Sequence, residues 1–79
     1  MRARVYVTLK PSVFDPQGRV VAEALHSLGY GDVRDVRQGK FFEVELDGDD
    51  RAAAEVRVAE MASTLLANPV IESYRVEVL

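Results

Sequence analysis

Few residues in this chain could do chemistry, and their spacing rules out most reactions. There is no cysteine and one histidine. No thiol–imidazole pair can therefore be built, and His26 has no second imidazole or thiolate to complete a metal set. His26 falls in the last turn of a helical pattern, where a solvated imidazole next to the negative helix end is the ordinary reading. Glu43 and Glu45 sit two apart on one face of a strand pattern, which reads as a solvated face rather than an acid–base pair. Asp47-Gly48-Asp49-Asp50 has the composition of a calcium loop. Such a loop spreads its ligands over twelve residues and closes on a bidentate Glu. Here the cluster runs straight into Arg51-Ala52-Ala53-Ala54, so it reads as a helix start. Gly39-Lys40 lacks the earlier spaced glycine and the following Ser or Thr of a phosphate loop. What remains is a protein expected to act through its surface, with no catalytic residue and no metal site.

The most informative surface stretch is Leu9-Lys10-Pro11-Ser12-Val13-Phe14-Asp15-Pro16-Gln17-Gly18. Pro11 has no N–H for a ladder and ends a strand. Asp15 followed by Pro16 starts a helix, the carboxylate accepting from the first turn and proline fitting the first helical position. Gly18 is out of place in a first turn, because glycine there costs about 1 kcal/mol against alanine. It leaves backbone bare for a close approach. The chain carries eight arginines but only two lysines, Lys10 and Lys40, both beside expected turns.

These residues need elements to position them. Val5, Val7 and Leu9 alternate with Arg4, Tyr6, Thr8 and Lys10, which predicts a strand over about 3–10. Val21, Ala24, Leu25 and Leu28 form one apolar stripe on a helix from about Pro16 to Leu28, closed by Gly29 with Tyr30 folding back. Phe42, Val44 and Leu46 share one face of a middle strand. Val36 is in phase with them and Val33 is not, so Arg37-Gln38-Gly39-Lys40 must hold either a short hairpin loop or a bend in one long strand. A second helix runs from the Asp47–Asp50 cluster to about Ala67. Its expected buried stripe is Val56, Val58, Ala59, Ala62, Leu65 and Leu66, with Ala53, Arg57, Glu60 and Thr64 wet. Asn68-Pro69 stops it, and Tyr74, Val76 and Val78 alternate in a last strand.

With 79 residues this is expected to be one domain, residues 1–79, with a marginal core. Two helices cannot cover both faces of a sheet. The expected fold is α+β: a small ferredoxin-like sandwich, an antiparallel sheet of three or four strands with two helices packed on one face. The thin core, exposed sheet edge and half-apolar outer face with Tyr6, Thr8 and Phe41 all predict self-association. No apolar run approaches the roughly 20 residues of a membrane span, and alternation begins at once after Met1, unlike a signal peptide. The expected location is cytoplasmic. A net charge of −3 argues against nucleic acid as the main partner.

Three stretches stand out together: Leu9-Lys10-x-x-Val13-x-Asp15-Pro16-Gln17-Gly18, then Arg37-x-Gly39-Lys40, then Leu65-Leu66-x-Asn68-Pro69-Val70-Ile71-Glu72-x-Tyr74. In this order and spacing the whole chain resembles the PurS family, small subunits of bacterial and archaeal phosphoribosylformylglycinamidine synthase. The resemblance implies a non-catalytic bridge in purine synthesis, docking a glutaminase subunit to a large synthetase subunit and helping ammonia pass between them. It implies that ATP and magnesium belong to the synthetase partner and that this chain binds no cofactor. It also implies a homodimer or higher oligomer formed through the sheets. On this reading Asp15, Gln17 and Gly18 present a helix start to a partner, Lys10, Arg37, Gly39 and Lys40 lie beside it, and Asn68 and Glu72 mark a second contact.

Two rival readings exist. Gly39-Lys40-Phe41-Phe42-Glu43-Val44 is similar in outline to the aromatic strand of RNA-binding domains on this fold class, but Glu43 and Glu45 oppose it. A small-molecule regulatory domain of the ACT type shares the expected topology, on fold analogy alone.

Overall fold

The computed structural model describes residues 1–79. Strand β1 (Arg2–Leu9) leads to helix α1 (Pro16–Ser27), strand β2 (Gly39–Glu45), helix α2 (Arg51–Met61), a π-helical turn (Ala62–Leu66) and strand β3 (Glu72–Val78). The sheet has three strands in the order β2-β1-β3, both pairings antiparallel. Val5 lies opposite Phe42 and Val76, and Val7 lies opposite Lys40 and Tyr74. Side chains at paired positions share a face, so this register sends Ala3, Val5 and Val7 inward and Arg4, Tyr6 and Thr8 outward.

Both helices start where their acids predict. Asp15 caps α1, accepting from the Gly18 N–H at 2.9 Å, with Pro16 in the first turn. Asp50 caps α2, accepting from the Ala53 N–H at 3.1 Å. Gly29, at φ +103°, ends α1, and the Tyr30 N–H returns to the Leu25 carbonyl at 3.0 Å.

The core is small. Ala3, Val5 and Val7 of β1 meet Ala54, Val58 and Ala62 from the second helical segment, with Ala67 and Val78 closing it. The expected stripe on α2 needs correction. Val56 is 60% exposed and Leu65 is 82% exposed, whereas Ala54 is buried. The spacing Ala54, Val58, Ala62 keeps one helical face on the sheet. The wider π turn after Met61, closed by the Ala67 N–H on the Ala62 carbonyl at 2.8 Å, then rotates Leu65 away.

The α+β class, the antiparallel sheet and the two helices are as the pattern predicts. The expectation that both helices pack on one face of the sheet holds, within the chain, for the second helix alone. Helix α2 packs on β1 and β3, while α1 makes no comparable contact with any strand or with α2. The molecule measures 48 × 25 × 14 Å, with a radius of gyration of 15.8 Å. A compact chain of this length has about 12 Å. Residues 10–38 form an arm that leaves the sheet after β1 and returns at β2. The Arg37–Lys40 question also resolves: residues 33–38 make no hairpin and join no ladder, and the strand begins at Gly39.

Candidate functional site

The base of the arm gathers the residues that the sequence singled out. Asp15 holds two backbone groups at once. Its Oδ1 takes the Gly18 N–H, and its Oδ2 takes the Gln38 N–H at 2.6 Å. Asp15 is buried. The Gly18 hydrogen bond, then that from Gln38, pulls its carboxyl below the usual aspartate value; desolvation opposes this, and the Arg37 charge and the Gln17 N–H help. Arg37 spans the same gap from the other side. Its guanidinium donates to the Lys10 carbonyl at 2.9 Å and the Val13 carbonyl at 2.7 Å. The two ends of the arm are thereby tied together.

Glycine is required at both ends of this clamp. A Cβ on Gly18 would stand 2.0 Å from the Val36 carbonyl oxygen, and one on Gly39 would stand 2.3 Å from the Val7 carbonyl oxygen. The bare backbone at Gly18 is filled by the chain's own segment rather than by an outside group. That corrects the expectation that Gly18 is presented to a partner.

A second cluster lies next to the first, on the inner face at the same end of the sheet. Lys40 Nζ is 3.5 Å from Glu72 Oε2. Glu72 Oε1 accepts from the Asn68 N–H at 2.7 Å, and Asn68 Oδ1 accepts from the Val70 N–H at 3.0 Å. Glu72 is mostly covered while Lys40 is half exposed. Leu9, Asp15, Gln17, Gln38, Lys40 and Glu72 border a shallow recess of about 210 Å³. That is below the usual size of a substrate pocket. Lys10 enters through its backbone: its N–H donates to the Ile71 carbonyl at 2.8 Å. All nine residues named from the sequence therefore lie at one end of the molecule, as two linked clusters instead of two separate contacts.

Other features were not visible in the pattern. His26 Nε2 donates to the Val33 carbonyl, pinning the end of α1 to the returning segment. On the outer sheet face Tyr6 sits under the Arg75 guanidinium at 4.2 Å, 5.2 Å from the Phe41 ring. Arg2 pairs with Glu43 and Glu45, and Arg4 with Glu77. This face is an exposed ion-pair lattice around one aromatic pair. No three His, Cys, Asp or Glu side chains converge to share a metal ion. No helix is long and apolar enough to cross a membrane.

Comparison with known proteins adds a family. A family model described as "PurS: Phosphoribosylformylglycinamidine (FGAM) synthase" matches residues 2–79. The chain is 53% identical over 77 residues to the phosphoribosylformylglycinamidine synthase subunit PurS of Bacillus subtilis, covering 98% of this chain and 90% of that one. A crystal form of B. subtilis PurS superposes with a TM-score of 0.82 over 96% of this chain and 94% of that chain. The structure of PurLQS from Thermotoga maritima contains a chain that superposes with a TM-score of 0.88 at 28% identity, covering 99% and 95%. With the family model matched over residues 2–79 and the fold shared along nearly the full length, the chain belongs to the PurS family of phosphoribosylformylglycinamidine synthase subunits.

Proposed function

We propose that this chain is the bridging subunit of phosphoribosylformylglycinamidine synthase. The complex converts formylglycinamide ribonucleotide, ATP and glutamine to formylglycinamidine ribonucleotide, ADP, phosphate and glutamate. Here the chain docks the glutaminase subunit to the large synthetase subunit. Catalysis, ATP and magnesium belong to those partners, and the setting is the cytoplasm. The observation that carries the reading is the gathering of Lys10, Asp15, Gln17, Arg37, Lys40, Asn68 and Glu72 at one end of a chain that holds no nucleophile–base pair. The recess among them is too small for a nucleotide substrate and suits an interlocking protein surface.

The bridging role has a chemical reason. Ammonia released into water at neutral pH takes a proton and ceases to be a nucleophile. Transfer between two active sites therefore needs docked walls that exclude water. A small sheet protein whose loops are fixed by hydrogen bonds can supply such a wall without reorganising. The test is assembly. The three subunits should co-elute as one complex, and Lys40→Ala should weaken that complex while leaving the melting temperature of the isolated chain within about 2 °C, as expected for an exposed ion pair. Parallel losses of melting temperature and of assembly would overturn the docking role of Lys40.

The outer aromatic strand does not support the RNA reading, because Glu43 and Glu45 are engaged with Arg2 beside it.

A further inference from the structure

On the bridging role proposed above, the chain needs two docking surfaces, and the cluster at the base of the arm supplies one. Lys40 and Phe41 are neighbours on β2 and stand on opposite faces of the sheet. Lys40 faces inward with Glu72. Phe41 faces outward, in one row with Tyr6 and Arg75 across the two ladders. Helix α2 covers the inner face and α1 packs on no strand, so no helix lies over the outer one. The outer face has two halves. At one end Arg2 pairs with Glu43 and Glu45, and Arg4 pairs with Glu77. At the other end Phe41 is 51% exposed, with its ring 5.2 Å from that of Tyr6. The Tyr6 hydroxyl donates to Glu77 Oε1 at 3.3 Å, which fixes that ring. The Arg75 guanidinium stands 4.2 Å from the Tyr6 ring centre. Among the charged residues of this face, Arg75 alone has no ion-pair partner. Gly39, Thr8 and Ser73 form the next row, and their small side chains leave a step below the rings. The step continues into a recess of about 350 Å³ bordered by Thr8, Pro11, Ser73, Asp35 and Arg37.

We propose that the Phe41–Tyr6–Arg75 end of the outer face is the second docking surface, and that it holds whichever larger subunit the inner Lys40–Glu72 cluster does not. The occupant is a segment of that subunit with an unpaired carboxylate beside an apolar side chain. The carboxylate meets Arg75, and the apolar group lies on Phe41 and Tyr6. Charge selects this occupant over a second copy. Every carboxylate on the outer face of these strands is already engaged by an arginine, so a second copy brings no free acid for Arg75. Covering an unpaired guanidinium is costly, and a partner that supplies the missing carboxylate removes that cost. The composition agrees, because tyrosine, phenylalanine and arginine are the residues that anchor interfaces. The rings are held before contact, so little side-chain freedom is lost on docking. The exposed ion pairs at the other end are mutually satisfied and add little. Since the Cα atoms of Lys40 and Phe41 are about 3.8 Å apart, the two partners sit back to back across one sheet.

The test is gel filtration with light scattering of the chain mixed with the glutaminase and synthetase subunits. The native chain should carry both. Arg75→Glu combined with Phe41→Ala should lower the amount of three-subunit complex at least tenfold and leave one larger subunit on the chain. Lys40→Ala should loosen the other subunit. Glu45→Ala, at the far end of the same face, should assemble as the native chain does. Arg75→Gln alone, which keeps both rings, should act in the same direction as the double variant, and both should match the native chain in circular dichroism and in mass when run alone. Undiminished assembly of both Arg75 variants would overturn the proposal. So would release of the same subunit by the Lys40 and Arg75 variants. A lower mass of either Arg75 variant run alone would also overturn it, because the face would then be a contact between copies. A native chain that joins neither subunit would overturn the bridging role itself, and this assignment with it.

Discussion

Asp15 holds one backbone N–H three residues on and, through its second oxygen, another 23 residues on, and the local sequence announces only the first. The Asp-Pro pair makes the N-cap legible, because a cap and its N–H are neighbours in sequence. The Gln38 bond is invisible in the pattern, since nothing in periodicity says which distant N–H will arrive. Both bonds favour the ionised carboxylate, so its value when folded lies below its value when unfolded. The sign follows: the contribution to stability is complete above the unfolded value, about pH 4, and is lost as pH falls through the lower folded value. Asp15→Asn should lower the melting temperature by about 5 °C at neutral pH and flatten the acid limb of a melting-temperature-against-pH series. An unchanged acid limb would remove Asp15 from the clamp. The two lysines behave differently. The scarcity of lysine made Lys10 and Lys40 visible, but only the fold shows that Lys40 faces Glu72 across β1. Losing that half-exposed pair should cost the isolated chain under about 0.4 kcal/mol in urea unfolding, the equivalent of a melting shift within about 2 °C.

At the scale of elements, α2 and the sheet form the folding unit. Val58 is fully buried, so Val58→Ala should cost about 2 kcal/mol in urea unfolding, whereas Leu65→Ala, at an 82% exposed position, should cost under about 0.5 kcal/mol. The sequence places both residues in one buried stripe, because an α-helical period was carried through a segment that turns as a π helix. A π turn has no reliable residue signature, so spacing alone puts Leu65 on the buried side. Gly39 is the hinge between arm and sheet. Its missing side chain lets the backbone approach Val7, so Gly39→Ala should separate the start of the β1–β2 ladder and cost about 2–3 kcal/mol. Hydrogen exchange of the β1 amides near Thr8 should rise in that variant, while those near Ala3 stay protected.

For the whole molecule, the apolar face of α1 was readable from spacing alone, but what covers it was not. Periodicity tells which side of a helix is apolar and is silent on what covers it. The same holds for the candidate site. Three short motifs, scattered through the sequence, meet at the base of the arm because β1 and β2 pair there and Glu72 opposite Leu9 begins β3. The family resemblance singles these motifs out, and only the fold shows that they meet. The central claim is that this chain connects two larger catalysts and contributes no bond-making group. Its most direct measurement is turnover of the synthetase with glutaminase, comparing glutamine with free ammonia as the nitrogen source, in the presence and absence of this chain. Omitting the chain should abolish most glutamine-driven turnover and leave ammonia-driven turnover within about twofold of the complete system. An equal loss with both nitrogen sources would contradict the bridging account.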